Sequence, residues 1–174
     1  MHILIALVAV IAGIGVWYWR FKMTKQAADE ITDAAATAWG HWKRYRFRSK
    51  VEASPIESVT DPAAAAVVMM IAIASAEHGL SDEAEEVVRE EITKTMGIED
   101  PTELLTFGKW VASHVEDPNN ASLRYAKLWN RDLDRDQRLD LVRMVERTVA
   151  ADGGASQRQI RQIAKLHERL GLKP

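Results

Sequence analysis

With 174 residues, 28% of them charged, and no cysteine, the chain excludes a disulfide framework, a thiolate metal site and a cysteine nucleophile. Its net charge of -2 conceals two opposed parts: residues 1–50 hold eight Lys/Arg against three Asp/Glu, and residues 51–174 hold fifteen against twenty-two. The acidic part is a poor match for the phosphate backbone of nucleic acid, and the basic part suits anionic lipid.

Ile3 to Trp19 is a run of seventeen residues without a charge. As a helix it reaches about 26 Å, the short end of what crosses a bilayer core. Trp17, Tyr18 and Trp19 follow where an interfacial aromatic belt belongs, then Arg20, Lys22 and Lys25. Cations on that side alone predict a single-pass anchor over 1–22 with its N-terminus outside and the rest cytoplasmic. A cleaved signal peptide would want basic residues ahead of the run and a small-residue cleavage site after it, and neither is there. Ala9 and Gly13 offer a neighbouring membrane helix a close approach, although small residues are also common in isolated spans.

Residues 23–54 read as a basic juxtamembrane helix, with Ile31, Ala35, Ala38, Trp42 and Tyr45 recurring at three and four. Trp39, Trp42, Tyr45 and Phe47 are interleaved with Lys43, Arg44, Arg46, Arg48 and Lys50. Rings at the acyl boundary and cations at the headgroups make this an interfacial helix on the lipid bilayer. The alternative is a solvated helix whose tryptophans cap the domain core.

From residue 55 to 174 the pattern is helical throughout, and no run alternates as a strand would. Asp61-Pro62 is an N-cap followed by a first helical residue. The charge-free stretch Pro62–Ala76 then predicts a central helix buried on all sides. Ser81 caps a strongly acidic helix that ends at Gly97. Asp100-Pro101-Thr102-Glu103 predicts a capping box and a helix to about Val115. Asp117-Pro118 opens another helix, Asp134 with Gln137 caps a further one through Ala151, and Ser156 opens the last, closed by Gly171. The fold class expected is all-α.

Sliding the chain by 75 residues lays Val67, Met69, Ala76, Gly79 and Ser81 on Val142, Met144, Ala151, Gly154 and Ser156. Met96-Gly97-Ile98 answers Leu170-Gly171-Leu172 with a slip of one residue. Each copy is an apolar helix, a glycine turn with a serine cap, and a polar helix ending in glycine. Two such hairpins would pack together, each burying the other's apolar helix, with Met69 and Met144 in the core.

The segments Ile71–Val88, Asp132–Ser156 and Leu170–Leu172 resemble the TerB-like tellurite-resistance domain family, over roughly Ser58 to Leu172. With the anchor and basic connector, the whole looks like a membrane-tethered bacterial version. It is reminiscent of anchored DnaJ-like co-chaperones, without their His-Pro-Asp tripeptide. The resemblance implies a helical bundle, association with membrane or stress-response complexes, and an acidic metal-binding patch at the hairpin turns. Carried over residue by residue, that patch is Glu77, Glu83, Glu85 and Asp152. Gln159 stands where the family's pattern asks for a glutamate, and Ala84 stands at the equivalent place in the first copy.

No other chemistry is legible. Asp132-x-Asp134-x-Asp136 lacks the glycine and the closing glutamate of a calcium loop, and reads as helix capping and surface charge. The five histidines show no zinc-ligand spacing, and there is no nucleophile elbow, phosphate loop or dinucleotide fingerprint. The expected role is therefore that of a protein-interaction module, docking an acidic face onto membrane or cytoplasmic proteins. A divalent-metal stress sensor, and an accessory single-span subunit of a larger membrane complex, stand as alternatives.

Overall fold

The computed structural model describes residues 55–172, and the chain divides after Ser58 into two compact units. The anchor at 1–22, the connector at 23–54 and the candidate interface residues within them lie outside the described residues. Of the first unit only α1 (Pro55–Ser58) is described, a single turn in which Ser58 Oγ donates to the Pro55 carbonyl at 2.7 Å.

The second unit is all-helical, and no strand occurs among the described residues. Its centre is α2 (Pro62–Ala74). Asp61 takes the Ala64 amide at 2.9 Å, Pro62 supplies a preset first turn, and every residue from Ala63 to Ala74 is buried. A helix without a polar side must be covered all round, and α2 touches α3 (Asp82–Glu90), α4 (Thr102–Ala112), α5 (Pro118–Asp132), α6 (Arg135–Ala150) and α7 (Gln157–Arg169). The α2–α6 contact is the one expected from the internal repeat. Met69 and Met144 are both fully buried. Against α4 the side chains of α2 press onto Gly108, where an added Cβ would sit 2.5 Å from Val67 Cγ1.

Two local expectations need correction. The capping box at Asp100–Glu103 does not form. Pro101 already has helical dihedral angles, and Asp100 Oδ1 takes the Thr102 amide two residues on, at 2.9 Å. The same helix stops at Ala112, short of Val115. Ser113 Oγ donates to the Trp110 carbonyl at 2.7 Å, and this bond competes with continuation of the ladder.

The slip of one residue in the repeat has a structural counterpart. After α3 the chain makes one π-helical turn, Glu91–Thr95, in which the Met96 amide reaches back to the Glu91 carbonyl at 2.9 Å. One extra residue is absorbed there, and the helix then ends at Gly97 with φ 69°. In the second copy α7 has no such turn. It closes at Gly171, φ 66°, with the Leu172 amide on the His167 carbonyl at 3.0 Å. Both glycines hold the left-handed conformation that terminates a helix without a Cβ clash.

The joint between the two hairpin turns and the acidic face

The turns after α2 and α6 are where the family resemblance places an acidic patch, and they meet. Ser81, the N-cap of α3, accepts the Ala84 amide at 3.0 Å while its hydroxyl donates to Asp152 Oδ1 in the other turn. Asp152 therefore bonds across the joint, instead of holding its own turn or the amides of α7.

Gln159 makes the second tie. Its Oε1 accepts the Ser156 amide at 2.9 Å, and Ser156 Oγ in return accepts the Gln159 amide at 3.2 Å. The motif is a reciprocal capping box, already written in the sequence as Ser-x-x-Gln. The Gln159 Nε2 group then donates to the carbonyls of Ile73 and Ala74 at 3.2 and 3.1 Å, satisfying the last turn of α2. Arg158 adds a bond to the Ala76 carbonyl at 3.0 Å. The position where a ligand carboxylate was expected is thus a buried structural amide. Its counterpart Ala84 is fully buried as well.

The four candidate metal ligands are not gathered into one site. Glu77 and Glu83 are exposed, Asp152 is taken up by Ser81, and Glu85 pairs with Lys109 at 2.5 Å and Arg89 at 3.6 Å. Among the described residues no group of three His, Asp or Glu side chains is placed to hold an ion. His78, in the first turn, is exposed.

The carboxylates of α3 line its outer side. Asp82, Glu83, Glu86 and Glu90 are exposed, while Ala84 and Val88 face the core. Glu86 and Glu90 pair within the helix, with Arg89 at 3.4 Å and Lys94 at 2.9 Å. Beside this face a groove of about 210 Å³ runs between α3 and α4, lined by Glu85, Arg89, Leu105 and Lys109 among others.

One functional-looking group escaped the sequence reading. Glu91, at the start of the π turn, is buried at 7% exposure and accepts from Arg147 of α6 at 2.5 and 2.8 Å and from Thr95 at 2.5 Å. The hydrogen bond from Arg147 raises the guanidinium's already high pKa. The fork-to-carboxylate geometry locks the base of the acidic helix to α6. The Asp132–Asp136 stretch does what capping predicts. Asp134 caps α6 with Gln137, and Arg131 holds Asp132 at 2.6 and 2.7 Å, lowering its carboxyl pKa.

The fold defines the described unit as an all-α protein. Comparison of the chain with protein-family models, with curated proteins and with solved structures gives no match. Among the described residues no helix is long and apolar enough to cross a membrane.

Proposed function

We propose that the chain is a membrane-anchored, TerB-like protein-interaction module that presents the acidic outer side of α3 to a basic surface of a partner protein. Its setting in this reading is the cytoplasmic face of a bacterial inner membrane, within a stress-response complex of the tellurite-resistance kind. The observation that carries the docking role is the spread of the carboxylates. Asp82, Glu83, Glu86 and Glu90 are arrayed along one exposed side, on a helix whose end is tied to α6 by the half-buried pair of Glu91 with Arg147. A calcium or magnesium ion needs six or more converging oxygens, whereas a protein partner with spaced cations needs carboxylates set apart. The family resemblance draws support from the repeat, since matching serine caps open α3 and α7 and matching glycines close both copies.

The test is co-purification of the full chain from its host in mild detergent, beside a Glu83→Lys/Glu86→Lys/Glu90→Lys variant. The expected result is a partner retained by the parent chain and lost from the variant, with the melting temperature little changed. Equal retention by both would overturn the docking role. A rise in melting temperature with calcium, magnesium or zinc, reversed by EDTA and abolished by Asp152→Ala, would favour the metal-sensing alternative instead.

A further inference from the structure

The internal repeat carries a charge inversion. At the offset of 75 residues that lays Ser81 on Ser156, Glu83, Glu86 and Glu90 of α3 fall on Arg158, Arg161 and Lys165 of α7. Each of these carboxylates in the first hairpin is answered by a cation at the equivalent place in the second. Both sets recur at three and then four residues, so each occupies one side of its helix, and all six residues are exposed. The two helices also begin alike, each capped by a serine that takes the amide three residues on. The two sides therefore present one spacing with opposite sign.

Neither set is spent on the other. Among the described residues no ion pair joins these carboxylates of α3 to these cations of α7. Glu86 and Glu90 hold Arg89 and Lys94 at 3.4 and 2.9 Å, within α3 and its π turn. Exposed pairs three or four residues apart contribute little and exchange readily. Arg158 spends one N–H on the Ala76 carbonyl, and Glu83, Arg161 and Lys165 make no hydrogen bond or ion pair among the described residues. Asp117, the one carboxylate beside the cations of α7, already takes the amide and the side-chain N–H of Asn119, at 2.9 and 3.0 Å.

The spacing decides what such rows can meet. Along either helix the successive members stand about 4.5 and 6 Å apart. Laid side by side in parallel, the two rows coincide. Laid antiparallel, only the middle pair is displaced, by about 1.5 Å, which a flexible arginine spans. Glu86 and Arg161 are opposite each other in both directions.

We infer that the partner met by the acidic side of α3 is a second copy of this chain, which docks through the cationic side of its α7. This rests on the docking role proposed above and names the partner. Rows of opposite sign at a shared spacing steer and register the encounter, while like rows repel, so α3 meets α7 and neither meets itself. Each exposed pair is weak and screened by salt, so the association is concentration-dependent and salt-sensitive.

The experiment is sedimentation velocity of the full chain in mild detergent over a range of concentrations, at low and at high salt. The parent chain should self-associate at low salt and dissociate at high salt. Glu83→Lys/Glu86→Lys/Glu90→Lys makes both sides cationic, and Arg161→Glu/Lys165→Glu makes both anionic. Each should weaken self-association by at least about tenfold. An equimolar mixture of the two variants should associate again, a recovery that also shows both to be folded. Because the chain has no cysteine, the contact can be read directly as well. A short bis-maleimide should join Glu86→Cys to Arg161→Cys in a mixture more than it joins either variant to itself. A parent chain that stays monomeric at low salt, self-association indifferent to both charge reversals, or folded variants that fail to associate when mixed would overturn the inference. Where a reversal unfolds the chain, the cysteine pair decides, and no excess of the mixed crosslink overturns it. A monomeric parent that still retains a different protein, lost from the α3 variant, would defeat self-docking and leave the docking role standing. Retention of every partner by the α3 variant would defeat the docking role itself.

Discussion

Gln159 shows how a residue can be visible in sequence while its role stays hidden. Where the family's pattern asks for a carboxylate, Gln159 registers as a missing ligand. In the structure its amide accepts from one backbone group and donates to two carbonyls at the end of α2. The Gln159→Glu substitution would keep the capping acceptor but lose both donations. It would also set a negative charge against the negative end of the α2 dipole. Urea unfolding should show a loss of about 1–3 kcal/mol; no measurable loss would contradict the assigned role. Tyr125 carries a second expectation. It is 1% exposed, edge-on to Trp129 with ring centroids 5.6 Å apart, and burial raises its phenol pKa, with Arg124 opposing in part. A raised folded pKa means that the neutral phenol's contribution is whole below the unfolded value of about 10 and is lost as pH rises toward the folded value. Stability should therefore fall more steeply above that pH in the parent chain than in Tyr125→Phe. Identical alkaline profiles would remove Tyr125 from the account.

At the scale of elements, most of the described helices could be read from their ends. Asp61-Pro62, Ser81, Asp117-Pro118, Asp134 and Ser156 all cap as their types predict. Local signals sufficed there because a cap is made by residues two or three apart. They were incomplete at Asp100, which takes the Thr102 amide as Asp117 takes that of Asn119 while the first helical bond of α4 falls one residue later, on the Pro101 carbonyl, and at Ser113, whose hydroxyl bonds the Trp110 carbonyl where α4 stops early. The π turn was legible only indirectly, as a slip in the repeat. Deleting Lys94, exposed within that turn, should convert the five-residue backbone bond to the ordinary four-residue one and leave a folded chain. Deleting Val87, within α3 proper, should rotate Val88 and Ile92 out of the core and prevent folding. Circular dichroism melting of the two variants tests this, and equal damage from both would contradict the reading of the turn as an absorbed insertion.

At the scale of the molecule, the burial of α2 followed directly from a run with no charge, because no side of it can face water. The joint between the turns did not follow. Ser81 and Asp152 are 71 residues apart and Glu91 and Arg147 are 56 apart, and no local pattern encodes which distant polar groups will meet. The outcome bears on function, since the bonds that join the turns engage Asp152 and Gln159 and leave the acidity to the outer side of α3. The central claim is that this side meets a partner protein. Its most direct measurement is photo-crosslinking in the host, from a photoreactive amino acid placed at Glu86 and, as a control, at Arg143 on the exposed side of α6. The account predicts a discrete crosslinked species from position 86 and none from position 143. Crosslinks from 143 alone, or none from 86 under conditions where the chain is folded and abundant, would contradict it.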